Sequence, residues 1–339
     1  MTVSHRTVPR WRQPGFSLIE LMVALLIGLF LMLGAITVYN QSRATYRASE
    51  GVARLQEVAR LALDVLEADV RMANFWGLNS KADYVTNRAG PGPLPSAFTA
   101  TQGGRISSCG GAGSNWAIDL DAYLDGSNNG YGLLCPGLAP DVGAAGVTGS
   151  DVLVVRRANE VRATTLDVNR IHLQTSRIQG ELFVPSCATA SDPNCIPSGY
   201  LPPVSQSRQL EVHAYYVSQQ STLRDDVPSL RRKVIGNVND AGFIGDEEIV
   251  AGVEHMQVLL GIDTNGDTNI DDYVNPGAVP GTARVVSATI WLRIRSEERD
   301  FGHRDDNVYQ YADMAAASPD DNYRRIVVTR TIQLRNTRV

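Results

Sequence analysis

Glu20 is the only charged residue in the 24-residue run from Phe16 to Tyr39. A carboxylate near the middle of a membrane-spanning helix costs about 2.5–3.5 kcal/mol, so an acid in such a run is expected to have a function. Two further sets of residues have types and spacing that suggest chemistry. Asp263, Asn265, Asp267, Asn269 and Asp271 place oxygen ligands at alternate positions, as a calcium loop of the EF-hand type does. Cys109, Cys135, Cys187 and Cys195 are the only cysteines, with no C-x-x-C pair and no histidine near them. That pattern disfavours zinc and suits two disulfides on an exported chain. Three connectivities are open, and the sequence-local one, Cys109 with Cys135 and Cys187 with Cys195, is favoured. Each bond would close a Gly-, Ser- or Pro-rich loop.

The calcium pattern departs from an EF-hand in two places. Thr268 stands where the turn glycine belongs, and Val274 where a bidentate glutamate belongs. The competing reading is a hydrophilic hairpin turn after a strand ending near Ile262, since Asn-Gly and Asp favour turns. Calcium is thus an expectation of weak binding only, with no required cofactor.

These residues must be positioned by larger elements. The run from Phe16 to Tyr39 would make a helix roughly 36 Å long, enough to cross a hydrocarbon core of about 30 Å. The preceding residues carry Arg6, Arg10 and Arg12 and no acid, which by the positive-inside rule leaves the rest of the chain in the periplasm. A cleaved secretory signal would be shorter and end in a small-residue site. A plain signal anchor explains the length but not Glu20. No proline occurs between Pro14 and Pro91, so the helix is free to continue. Val52, Leu55, Ala59, Ala62, Leu66, Val70 and Ala73 form one helical stripe. Val58, Leu61, Val65, Ala68, Met72 and Trp76 form a second beside it, with Arg54, Glu57, Asp64, Glu67 and Arg71 opposite. So wide an apolar face packs on a globular core rather than in a narrow coiled-coil seam. Gly28 and Gly34 weaken the apolar half and would permit local unwinding.

Residues 77–150 are rich in Gly, Ser, Asn and Pro and read as a loop-dominated region. Strand patterns follow at 151–157, 210–217, 286–294 and 325–334. Their alternation predicts an antiparallel sheet with one wet face and one dry face against the helix. The fold class is α+β, with segments 1–15, 16–39, 40–76, 77–150 and 151–339.

Composition adds exclusions. The net charge of −5 argues against a nucleic-acid scaffold, and 43% apolar with 20% charged residues suits a folded protein. No G-x-x-x-x-G-K-S/T, H-E-x-x-H or G-x-S-x-G motif occurs, and the five histidines are scattered, with His213 and His255 in strand patterns. An enzyme is not indicated.

The stretch Gly15-Phe16-Ser17-Leu18-Ile19-Glu20-Leu21-Met22-Val23-Ala24 closely resembles the class III signal of type IV pilins and type II secretion pseudopilins. That resemblance implies cleavage between Gly15 and Phe16 by an inner-membrane prepilin peptidase, and N-methylation of Phe16. It also implies that Glu20 pairs with the terminal amine of a neighbouring subunit during assembly. Opposite buried charges compensate one another, whereas either alone is costly. The segments Arg71–Gly77, Ile249–Glu254, Gly261–Asp267 and Ile332–Asn336 are similar to the PilW family of minor pilins. Membership would imply a type IV pilin-like fold and a role in priming pilus assembly at or near the tip, supporting twitching motility and adhesion. The implied partners are the prepilin peptidase, the inner-membrane platform, the major pilin, sister minor pilins and a tip adhesin. A J-type minor pseudopilin of type II secretion, or a module displaying its loops to surfaces or DNA, are the alternatives.

Overall fold

The structure is a computed structural model that describes residue 15 and residues 17–79, 81–135, 146–200, 204–240 and 243–337, the side chain of Ala44 excepted. The chain divides into two compact units, 1–52 and 53–339. Each is taken by itself.

In the first unit the described residues are almost entirely helical. They form the N-terminal part of α1 (Leu18–Met72), whose most apolar 18-residue window has a mean hydropathy of 2.7 and is not buried at all. Leu18, Phe30, Leu31 and Met32 are each more than 60% exposed. In water such a surface would be costly at about 25 cal/mol per Å², so these side chains require lipid or other apolar helices around them. Gly28 and Gly34 lie within the helix, with nothing near the positions a side chain would take.

The second unit contains the rest of α1, the short helix α2 (Ala100–Ile106) and twelve strands among the described residues. These are β1 (Val85–Thr86), β2 (Leu124–Ser127), β3 (Val152–Ala158), β4 (His172–Thr175), β5 (Gly180–Phe183), β6 (Gln206–Ser218), β7 (Ser229–Ile235), β8 (Ile244–Ala251), β9 (Val253–Asp263), β10 (Asp272–Val274), β11 (Arg284–Arg295) and β12 (Arg325–Gln333). They form two sheets rather than one. The larger has the order β1-β5-β4-β6-β3-β2, with β7 on β6 and β8 on β7; the smaller is β10-β9-β11-β12. All pairings are antiparallel except β1 with β5. Strand β6 is long enough to bond β4 through Gln206–Gln209 and β7 through His213–Ser218.

The first apolar stripe of α1 is buried from Leu55 to Ala73, while Val52 is exposed. The second stripe is only half covered: Val58, Val65 and Met72 are intermediate, Leu61 and Ala68 exposed, and Trp76 fully buried. The smaller sheet shows its dry face to the core through Met256, Val258, Leu260, Ala288, Ile290, Leu292 and Ile294. The face expected to be wet is largely covered instead. His255, Gln257, Ser287 and Thr289 are buried. The loop from β11 to β12 brings Tyr311 onto His255 (3.1 Å) and Tyr309 against Arg293, and Gln257 donates to the carbonyl of Gly149 (2.7 Å). Alternation alone does not show which loops return across a polar face. Residues 77–150 likewise do more than loop over the surface, since Ile106, Trp116, Ile118, Leu120 and Leu124 join the main core.

Candidate functional site

The N-terminal signal residues come first along the chain. Gly15 is exposed, Phe16 lies outside the described residues, and Glu20 is exposed in the first turn of α1. An acid there is favoured by the unsatisfied N–H groups of the helix start. Among the described residues Glu20 has no ion-pair partner.

Where α1 meets the sheets, the motif residues acquire definite jobs. Asn74 adopts a left-handed conformation (φ 61) just past the helix end, as C-terminal caps do. Its amide donates to the carbonyl of Asn336 (3.1 Å), and Asn336 donates to the carbonyls of Arg71 and Ala73 (3.4 and 3.2 Å). Two sequence segments more than 250 residues apart thus close the end of the helix together. Trp76 donates to Asn74 (2.7 Å), and Gly77, at φ +86, passes so near Thr175 that a Cβ would sit 2.8 Å from its hydroxyl.

The segment Ile249–Glu254 joins β8 to β9. Gly252 has φ +95, accepts a bond from Arg295 N (2.8 Å) and donates to Pro228 O (2.7 Å). Glu254 holds Arg325 through two bonds (2.8 and 3.0 Å) and Arg293 through a third (3.0 Å). Arg325, with only 1% of its side chain exposed, also bonds Asp321 and Asp305 and so pins the β11–β12 loop. Burial pushes Glu254 up, but Arg325 and Arg293 hold it below the usual carboxylate range.

A central ionic cluster escapes the sequence reading altogether. Asp69 lies on the buried side of α1, at helical spacing from Ala62, Leu66 and Ala73, and is 5% exposed. Its carboxylate accepts from Arg157 Nε on β3 (2.8 Å), from the Tyr215 hydroxyl on β6 (2.7 Å) and from His213 Nδ1. The other imidazole nitrogen faces Glu211 at 3.7 Å, and Asn159 donates to Glu211 (2.9 Å). Burial disfavours every charge here, yet the His213 and Arg157 contacts carry Asp69 far below its ordinary value. His213 moves up, since its bonds to Asp69 and Glu211 outweigh its burial. The cluster is a clamp between helix and larger sheet, and the signal for it was an acid within an otherwise apolar helical stripe.

A second set locks strand register. Arg231, Arg232 and Lys233 on β7 lie opposite Glu248, Glu247 and Asp246 on β8. Arg231 bonds Asp246 (2.8 Å), Lys233 bonds the same carboxylate, and Arg232 bonds Glu247 (2.6 Å) on the other face. A one-residue slip would break all three pairs.

The Asp263 series forms the hairpin turn between β9 and β10. Asp263 accepts from the backbone N–H of Asn265, Gly266 and Thr268 (3.1, 2.7 and 2.8 Å). Asp271 accepts from Thr264 N and Oγ1, both at 2.7 Å. Burial would raise Asp263, but its backbone donors bring it below the usual range. The carboxylates of Asp263, Asp267 and Asp271 do not converge on one point; among the described residues the only such grouping is Cys187, Asp192 and Cys195. Its two cysteines are bonded to each other, and Cys109 is bonded to Cys135.

Comparison with known families gives two matches. Residues 12–36 match the Prokaryotic N-terminal methylation motif, and residues 214–336 match the family described as Type IV Pilus-assembly protein W. Together the two matches support a type IV pilus PilW-family pilin with a prepilin-type signal. No curated protein and no solved structure matched. The PilW-matched region runs from within β6 to Asn336 and contains the whole smaller sheet, the β7–β8 charge ladder and the Arg325 cluster. Asp69 and both disulfides lie outside it. The two matches support a minor pilin role in pilus assembly, and a prepilin-type signal implies processing by the prepilin peptidase and interaction with other pilus components.

Proposed function

We propose that this minor pilin primes type IV pilus polymerisation and is incorporated at or near the tip, where it supports twitching motility and adhesion. The observation that carries the reading is the pairing of an uncovered apolar helix bearing Glu20 with a PilW-type globular unit. The first supplies membrane residence and then a filament core; the second supplies a surface for sister subunits. Arg6, Arg10 and Arg12 favour a cytoplasmic leader, with the globular unit in the periplasm before assembly and on the cell surface afterwards. Cleavage after Gly15 frees the Phe16 amine, and Glu20 of the incoming subunit meets that charge on its neighbour. Gly28 and Gly34 give the apolar helix places to unwind on leaving the membrane. The role is read as structural rather than catalytic. Its partners are the prepilin peptidase, the inner-membrane platform, the major pilin, sister minor pilins and a tip adhesin. The test deletes the gene, scores surface pili, twitching and secretion, and complements with wild type or Glu20→Ala. Loss of pili restored by wild type but not by Glu20→Ala is expected. Normal piliation after deletion would end the priming role, and lost secretion with intact pili would favour a J-type pseudopilin.

A further inference from the structure

Strand β12 is the last strand of the smaller sheet, and among the described residues no other strand pairs with its outer edge. Its pairing with β11 is regular from Arg325 to Gln333, with no bulge, and it contains no proline. Long regular edges are usually blunted by such devices because they template pairing with other chains. Backbone bonds from Leu334 N to Val286 O (3.0 Å) and from Ser296 N to Arg324 O (2.9 Å) set the phase of the ladder. Bonded pairs alternate in an antiparallel ladder. Ile326, Val328, Arg330 and Ile332 therefore bond β11, while Val327, Thr329 and Thr331 turn their N–H and C=O groups outward. Thr329 and Thr331 are exposed and Val327 is half-buried.

A row of outward main-chain donors and acceptors at alternate residues is matched by one chemistry, another extended peptide. Charge narrows the choice. The segment Arg324–Arg335 contains Arg324, Arg325, Arg330 and Arg335 and no acid. Arg335 is exposed and has no carboxylate partner among the described residues. It lines a surface groove with Arg71 of α1, Thr331 and Leu334. Arg324, Arg325 and Arg330 are already paired with carboxylates of this chain, and a second copy of this strand segment, which contains no acid, would bring no carboxylate to Arg335.

We propose that the free edge of β12 receives an extended strand from a different pilin of the same fibre, one carrying a carboxylate at the end beside Arg335. This rests on the reading of the chain as an assembled pilus subunit. The pairing adds a strand to the smaller sheet, inside the family-matched region.

The test compares amide hydrogen exchange in the full-length chain, in detergent, alone and co-purified with the other minor pilins of its own pilus. The amides of Val327, Thr329 and Thr331 should slow by about tenfold or more in the complex, while those of Val328 and Arg330 are protected in both. Thr329→Pro removes an outward donor without taking a ladder bond. Thr329→Pro and Arg335→Glu should each reduce co-purification by about tenfold or more, at an unchanged melting temperature. A complex that forms with the three outward amides still in fast exchange overturns the proposal. So does slowing that depends only on the concentration of the chain alone, which assigns the edge to a second copy. Failure of the wild-type chain to enter pili would instead remove the assembly reading on which the proposal stands.

Discussion

The clamp around Asp69 gives the sharpest quantitative expectation. In Asp69→Asn the charge that holds Arg157 and His213 is gone, while both cations stay buried: their side chains are 12% and 9% exposed. Removing one member of a buried ion pair costs about 3–5 kcal/mol; here, of the carboxylates among the described residues, Arg157 keeps only Glu160 and His213 only Glu211, at 3.3 and 3.7 Å, once Asp69 is neutral. For a unit of this size each kcal/mol lowers Tm by about 2 °C, so a fall of roughly 6–10 °C is expected. Trp76 is fully buried just beyond the end of the same helix, and its fluorescence reports the loss in thermal melts of the full-length chain in detergent. The pH dependence follows from the shifts. His213 is raised, so its contribution is complete below about 6.5 and is lost as pH rises through its folded value. Asp69 and Glu211 are lowered, so theirs is complete above about 4 and is lost only as pH falls through their folded values. The clamp is therefore strongest between about pH 4 and 6.5 and weakens on the alkaline side. Asp69→Asn should flatten that alkaline decline, and His213→Gln should reproduce much of the loss without adding fully to it. A cost under about 1 kcal/mol, the size of an exposed surface pair, would refute the reasoning. So would an alkaline slope identical to wild type.

Other expectations are simpler to state. Gly252→Ala forces a side chain onto φ +95 with its Cβ 3.1 Å from Arg295 O, and should cost about 1–3 kcal/mol in a denaturant titration; a neutral effect would show that the β8–β9 junction relaxes. Opening Cys109–Cys135, which spans 26 residues beside the main core, should cost about 3.5 kcal/mol on loop entropy, and opening Cys187–Cys195, spanning 8, about 2.5 kcal/mol. Melts of the paired serine variants measure both, and equal losses would put the difference in something other than loop length. Calcium at 1 mM should move Tm by less than about 1 °C, since a site no tighter than that contributes at most about 0.4 kcal/mol. A rise of several degrees, abolished by Asp263→Asn, would instead establish a cation site in the β9–β10 turn.

Local patterns were legible where one residue's chemistry constrains its neighbours. An acid in a membrane-length apolar run, cysteines close enough in the chain to meet, and alternation in β6, β11 and β12 each carry their meaning within a short window. The first buried stripe of α1 was readable for the same reason, because helical periodicity repeats every turn. Asp69 was not: an aspartate among apolar residues looks like a solvated position until His213, Tyr215 and Arg157 arrive from two strands to satisfy it. The division into two sheets, the covering of the polar face by the β11–β12 loop, and the shared cap of Asn74 and Asn336 were likewise undecided. They depend on contacts between residues up to 262 positions apart, and no local propensity encodes which distant partner will complete a buried hydrogen bond. Sequence alone determined that this chain carries an apolar helix of membrane-spanning length with an acid near its start. The tertiary structure decided how the rest of that helix is held, and left the outer edge of β12 unpaired among the described residues.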